Sequence, residues 1–217
     1  MPNSPSLADA LSAHHVPLRG ESVLLEPLAV SHSDALWEAA DRVGDSGALT
    51  TVPRSRESMG RYVIAALAAK KAGGALPYAI VALERRAVVG STRFASIERW
   101  DFGENAAPRA SVVHAVEIGW TWLAADAQRT VVNTESKLLL LTHAFEVLGV
   151  ERVMLKTDVR NTRSRAAIER IGGRLEGILR RHMPAADGGV RDTAMYSIVV
   201  TEWPEVQSSL RARLRKT

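Results

Sequence analysis

A strand-like run and the loop that follows it carry the residues best placed for chemistry. The run covers residues 116–123, and the segment 128–135 then opens a helix. The first N–H groups of a helix have no acceptor within it and lie at the positive end of its dipole, so such a loop can bind an anion. The loop has no glycine, and an ordinary strand–loop–helix connection explains the same pattern equally well.

Composition and charge exclude several other kinds of site. The 217 residues include no cysteine, which excludes disulfides, thiolate metal sites and cysteine nucleophiles and fits a cytoplasmic protein. The six histidines show no metal-binding spacing, so no metal is expected. A net charge of +4 suits an anion-binding protein. No apolar run is long enough to span a membrane, and no secretory signal is visible, so no membrane association is expected.

Periodic patterns predict the elements that position these residues. Leu138, Leu141, Phe145 and Leu148 are spaced for an amphipathic helix, capped by Asn133 or Thr134. The predicted order is strand, two helices, three strands, helix, strand, helix and two strands, which is a mixed α/β (α+β) fold. Residues 112–157 should form a right-handed parallel strand–helix–strand unit. Residues 1–17 are predicted to be a flexible N-terminal arm, and residues 18–217 a single domain.

Several segments share a family pattern, in the same order along the chain. They are residues 18–25, 89–92, 116–120, 128–135, 161–165, 169–172, 175–180 and 190–197. Together these segments resemble the GNAT acetyltransferase superfamily, particularly its RimJ/RimL-like branch of ribosomal-protein N-acetyltransferases. The resemblance covers about residues 18–204. It implies a GNAT-type single domain whose central mixed, mostly antiparallel sheet is splayed at the cofactor site and flanked by helices.

The resemblance also implies a site for acetyl-CoA as co-substrate. The pantetheine arm is expected to pair with the strand that contains Trp120, Thr121, Trp122 and Leu123, as an added strand would. The pyrophosphate is expected on the loop formed by Gln128, Arg129, Thr130, Val131, Val132, Asn133 and Thr134. Asn161, Ser164 and Arg165 of the next helix complete the expected cofactor-binding set. Transfer is then direct from the thioester to an amine, with neither a covalent enzyme intermediate nor a metal.

Two departures from the family pattern bear on activity. Val131 and Asn133 stand where the family usually has glycine and glycine or alanine, and the β-carbon of Val131 crowds a close phosphate approach. Backbone donation survives if both residues take helical dihedral angles. Ile168 replaces the tyrosine that acts as general acid in many members. These departures leave open a non-catalytic acyl-CoA-binding or interaction module of the same fold.

Two side chains are the candidate catalytic residues. Glu117 can take the proton that an amine must lose before it attacks, although a surface ion pair explains a strand glutamate almost as well. Ser164 can donate to a departing thiolate, and a polar residue in the first turn of a helix is an equal alternative. His114 is a secondary base candidate for which a structural role is favoured. Trp120 and Trp122 share one strand face and are predicted to be core.

The acceptor cannot be named from the sequence. A protein or peptide N-terminus is the family-based lead, and its α-amine loses a proton more easily than a lysine amine. A small-molecule amine is a close second. Trp37, Trp100 and the loop at 99–109 could line an acceptor groove. The arginine-rich segment 160–181 suggests nucleic-acid binding, but no recognition motif supports it, so no nucleic acid is expected as a partner. Monomer and homodimer both remain open.

Overall fold

The computed structural model describes residues 7–44, 49–103 and 113–216. In these ranges the strands are β1 (Leu18–Arg19), β2 (Val23–Pro27), β3 (Ala75–Ala82), β4 (Ala87–Glu98), β5 (Ala115–Leu123), β6 (Arg152–Asp158), β7 (Arg174–Pro184) and β8 (Val190–Val199). The α-helices are α1 (Leu7–Ala13), α2 (Ser33–Asp41), α3 (Arg56–Lys71), α4 (Val131–Thr142), α5 (Thr162–Arg170) and α6 (Trp203–Leu214). A π-helical turn, His143–Val147, continues α4. None of the helices in these ranges is long and apolar enough to cross a bilayer.

One sheet carries all eight strands in the order β1-β2-β3-β4-β5-β6-β8-β7. Every neighbouring pair is antiparallel except β5 and β6, which are parallel and connected by α4. The predicted mixed, mostly antiparallel α/β architecture is therefore confirmed. The Gly188–Gly189 turn connects β7 to β8, and Gly188 has the positive φ that such a turn favours.

Apolar residues cover both faces of the sheet. Leu36 of α2 and Met59 and Val63 of α3 pack on one face with Trp122. Leu140 and Leu141 of α4 pack on the other face with residues of α6. Each helix thus buries one apolar stripe, which is the main stabilising contribution of a surface helix.

The ends of the chain differ from the sequence prediction. Helix α6 was not predicted, although Trp203, Val206 and Leu210 lie on one face at helical spacing and are buried. Within the arm predicted for residues 1–17, α1 inserts Leu11 into the main core, and His15 bonds the Pro77 carbonyl oxygen at 2.8 Å. The described part of the arm is therefore packed against the domain. Residues 104–112 lie outside the described ranges, and they include most of the predicted acceptor loop at 99–109.

Candidate active site

The two parallel strands separate after three residues. Ala115, Val116 and Glu117 of β5 pair with residues 152–154 of β6, and no pairing follows beyond that point. The facing edges of residues 118–123 and 155–158 therefore have no strand partner, which leaves backbone N–H and C=O groups free along the gap. The splay predicted between these strands is confirmed.

A β-bulge shapes the β5 side of the gap. Ser91 of β4 pairs with Trp122 and Arg93 pairs with Gly119, so Trp120 and Thr121 together oppose a single residue. Trp120 has φ +50° and is 40% exposed, whereas Trp122 is buried. The prediction that both tryptophans are core is therefore wrong for Trp120, because the bulge turns it out of the alternation.

A cavity of about 270 Å³ passes through the splay. Strand alternation places Glu117 and Lys156 on one face of the sheet and Leu155 and Thr157 on the other. The cavity touches both faces, because its lining includes these residues as well as side chains from α4 and α5. The lining also contains residues 49–51, Ile118–Thr121, Asn133, Lys137, Ser164, Ala167, Ile168, Ile171, Met183, Pro184 and Arg191. A ligand on one face can therefore meet a ligand on the other inside the sheet.

Glu117 lies where the strands part and is 3% exposed. Its Oε2 atom accepts a hydrogen bond from the Ser96 hydroxyl at 2.8 Å and forms an ion pair with Lys156 Nζ at 2.8 Å. Both contacts end on Oε2, and Oε1 has no hydrogen-bond partner among the described residues. A β-carbon at Gly119 would lie 2.7 Å from Oε1, so glycine is needed there to leave this oxygen its space. Glu117 is thus a buried, oriented carboxylate with one oxygen open to a proton donor.

The loop before α4 differs in detail from the prediction. Thr130, not Asn133 or Thr134, is the N-cap, and its hydroxyl accepts from the Val132 amide at 3.2 Å. Val131 and Asn133 fall inside the helix, so their backbone amides keep the donor geometry that the loop needs without glycine. Arg129 carries the left-handed φ of +59°. Only Asn133 of the seven predicted loop residues lines the cavity.

Gln128 fixes this loop to the end of β5. Its Nε2 donates to the Leu123 carbonyl oxygen at 2.8 Å, and its Oε1 accepts from Arg163 at 3.3 Å. The side chain is therefore occupied by contacts that position the loop. The first-turn amides of α4 remain the groups best suited to an anion.

Helix α5 places Ser164 in the cavity. Asn161 is the N-cap of this helix, and its Oδ1 accepts from the Ser164 amide at 3.0 Å. Asn161 does not line the cavity. Arg165 donates from Nε to the buried Tyr196 hydroxyl at 3.0 Å, a contact that holds it to β8. The structure therefore brings together Glu117, Ser164, Trp120, Thr121 and Asn133 of the predicted set.

His114 lies outside the cavity. Its Nδ1 accepts from the Trp100 amide at 3.0 Å, and its ring stacks on Trp100 with centroids 5.8 Å apart. This geometry fits the structural role that the sequence favoured.

Lys137 is a cavity residue that the sequence reasoning missed. It is 6% exposed, donates from Nζ to the Thr121 hydroxyl at 2.7 Å, and has no carboxylate within ion-pair distance among the described residues. Burial lowers the pKa of this amine to about 7. The sequence did contain a signal for its burial. Lys137 precedes Leu140 and Leu141 by three and four residues, and residues at these spacings lie on the same face of a helix.

Known proteins resemble this chain in sequence and structure. The family model described as "Acetyltransferase (GNAT) domain" matches residues 22–174. A Bacillus subtilis protein, YdaF, assigned provisionally as a ribosomal N-acetyltransferase, is 37% identical over 87 residues. That match covers 40% of this chain and 46% of the relative, so it spans less than half the relative's length.

Solved structures extend the likeness over the whole fold. One from T. thermophilus, assigned provisionally as an acetyltransferase, is 32% identical, covers 99% of this chain and 100% of that one, and has a TM-score of 0.75. Mycobacterium smegmatis RimJ, solved in complex with CoA-disulfide, is 24% identical, covers 92% and 93%, and has a TM-score of 0.71. At that identity the RimJ likeness concerns the fold.

Proposed function

The chain belongs to the GNAT acetyltransferase family, and on that premise we propose that it transfers the acetyl group of acetyl-CoA to a primary amine. A protein or peptide N-terminus is the lead acceptor, in keeping with the RimJ/RimL-like branch that the chain resembles. The cavity through the splay, with Glu117 at the point where the two strands part, is the observation that carries this proposal. A reaction that consumes acetyl-CoA suits the cytoplasm.

The residues at the splay suit the cofactor's shape and charge. The unpaired edge of β5 around Trp120 and Thr121 offers backbone groups to the pantetheine amides, in the manner of an added strand. The first-turn amides of α4 offer donors for the pyrophosphate. Asn133, Lys137 and Ser164 supply polar groups on the α4 and α5 side of the gap.

Acetyl-CoA supplies an activated acyl group as a thioester. On the face of the sheet opposite α4 and α5, Glu117 takes the ammonium proton of the acceptor through Oε1, directly or through water, so that the neutral amine can attack. Attack of the neutral amine on the thioester carbon forms the C–N bond and a tetrahedral oxyanion, whose collapse breaks the C–S bond. The second proton that the nitrogen loses passes to the departing thiolate, so CoA leaves as the thiol. Ser164, which lines the cavity on the α5 side, is the proposed hydrogen-bond donor to the thiolate. Backbone amides at the bulge are candidate donors to the oxyanion.

Ligand-linked stability gives the direct test of this proposal. Acetyl-CoA at saturating concentration should raise the melting temperature, because it binds the folded state. The absence of a shift would overturn both the enzyme and the acyl-CoA-binding module. If the shift occurs, thiol release across a panel of N-terminal peptides and small amines separates the two, because a binding module releases no thiol above the uncatalysed rate.

A further inference from the structure

Arg191 of β8 lines the cavity without a carboxylate partner. Its Nη2 donates to the Met183 sulfur at 2.9 Å and its Nε donates to the Thr193 hydroxyl at 3.3 Å. Both acceptors are uncharged, and a thioether sulfur is a weak one. Within the described ranges no acidic side chain lies within 4.0 Å of this guanidinium, and Nη1 makes no hydrogen bond.

The nearby carboxylates are already engaged. Asp158 is held by Arg160 through hydrogen bonds at 2.7 and 3.0 Å, and Glu117 is held by Lys156. Burial lowers the pKa of Arg191, and the more distant charges of Asp158 and Glu117 act in the opposite direction. A half-buried guanidinium with no ion pair is costly, and an anionic ligand would remove that cost.

Arg191 lies on the same face of the sheet as the candidate base. Thr193 pairs with Asp158, which is two residues after Lys156, and Arg191 is two residues before Thr193. Strand alternation therefore places Glu117, Lys156 and Arg191 on one face, opposite α4 and α5. This is the face from which an acceptor amine would reach Glu117.

We propose that the acceptor is an amine that also carries a carboxylate, and that Arg191 binds this carboxylate while the amine faces Glu117. The inference rests on the proposed function and adds the chemical class of its acceptor. The ionisable residues that line the cavity are one carboxylate, Glu117, and three cations, Lys137, Lys156 and Arg191, so the lining has an excess of positive charge. Lys156 is matched by Glu117, so Arg191 is the cavity-lining cation on this face without a carboxylate partner among the described residues.

The test uses matched acceptors that differ only in one carboxylate. Thiol release is measured at saturating acetyl-CoA with the C-terminally amidated peptides Ser-Asp-Ala and Ser-Asn-Ala, and with Ser-Glu-Ala and Ser-Gln-Ala. β-Alanine and β-alaninamide form the small-molecule pair. Wild type is compared with Arg191→Met, with Arg191→Lys, and with Arg180→Met as the control. Arg180 is an exposed arginine of β7 that does not line the cavity.

We expect wild type to favour the acidic member of a pair by about ten- to hundredfold in kcat/KM, the range for a hydrogen bond to a charged group. Arg191→Met should abolish this preference and leave the amide member within about twofold, Arg191→Lys should retain part of it, and Arg180→Met should retain all of it. If the preference for the acidic member is seen only with the peptides, the acceptor is a peptide with an acidic side chain; if it is seen only with β-alanine, the acceptor is a small amino acid.

Equal kcat/KM values of wild type for the acidic and amide members would overturn the inference. An equal decrease of kcat/KM for both members in Arg191→Met would overturn it too. The wild-type comparison decides the question even if Arg191→Met fails to fold. Release from neutral amines alone would overturn the inference and leave the proposed function standing. A complete lack of release overturns the inference too, and the melting-temperature shift with acetyl-CoA then shows whether cofactor binding survives.

Discussion

Replacing Lys137 by methionine should stabilise the ligand-free protein at neutral pH. Lys137 is buried in the cavity with one hydrogen bond and no carboxylate partner in the described structure. Its pKa is about 7 in the folded protein and about 10.5 in the unfolded chain. Between these two values the unfolded chain binds more protons, so folding stability rises with pH across that window and the charge opposes folding below it.

The size of the effect follows from those two pKa values. At pH 7 the difference in proton binding corresponds to about 4 kcal/mol against the folded state, and at pH 10.5 it has fallen below about 1 kcal/mol. Methionine fills similar space without a charge, and it gives up the Thr121 hydrogen bond, worth about 1 kcal/mol. The variant should therefore be more stable by about 3 kcal/mol at pH 7, and the gain should vanish toward pH 10.5.

Urea unfolding of both proteins at pH 7 and at pH 9.5 measures this gain. Lys71→Met is the control, because Lys71 is an exposed lysine at the end of α3 and its replacement should change stability by less than about 0.5 kcal/mol at either pH. A variant less stable than wild type at pH 7, or a difference that does not change with pH, would refute the reasoning.

The same variant should bind acetyl-CoA more weakly. Lys137 is a hydrogen-bond donor on the α4 side of the cavity, and its loss should raise the Kd by about tenfold. Stability and binding would then move in opposite directions. That result is expected of a residue kept for function rather than for the fold.

Two further predictions concern the carboxylate at the splay and the buried histidine. Glu117→Gln should lower kcat/KM by about a hundredfold, and most strongly at low pH, where the acceptor amine is protonated and needs a base. The control Glu84→Gln, at an exposed turn, should leave kcat/KM unchanged. A pH–rate profile that Glu117→Gln does not change rules Glu117 out as the base. Burial lowers the pKa of His15 to about 4, so the unfolded chain binds more protons between pH 6.5 and 4. The free energy of unfolding of wild type should fall by about 3 kcal/mol as the pH falls through that window, and that of His15→Gln should fall by less. Urea unfolding at pH 7 and pH 4.5 measures both changes. Equal decreases in the two proteins would contradict the role given to His15.

Local pattern predicts the elements around the site well. The amphipathic spacing of α4 is a property of neighbouring residues, and this helix appears where it was expected. The start of α4 was misplaced by a few residues, because Thr130 competes with Asn133 and Thr134 as a cap and the tertiary contacts of the loop decide between them.

The charges of the site depend on contacts that no local pattern contains. Glu117 and Lys156 meet only because β5 and β6 run parallel in one register, although they are 39 positions apart in the sequence. The bulge at Trp120 depends on how β4 pairs with β5. Strand periodicity alone predicts an uninterrupted alternation, so it places Trp120 in the core.

The separation of β5 and β6 and the buried cations that line it both lower the stability of the ligand-free protein. Past Glu117 the two parallel strands give up their mutual backbone hydrogen bonds, although each still pairs on its outer edge, with β4 and with β8. Lys137 and Arg191 line the same opening from opposite faces of the sheet, and burial lowers the pKa of each. A ligand that adds backbone-like amides along β5 and a carboxylate near Arg191 would satisfy both sets of groups. Binding of acetyl-CoA and of a carboxylate-bearing amine should therefore each add stability, and thermal shifts measured with either ligand and with both should show the two contributions separately.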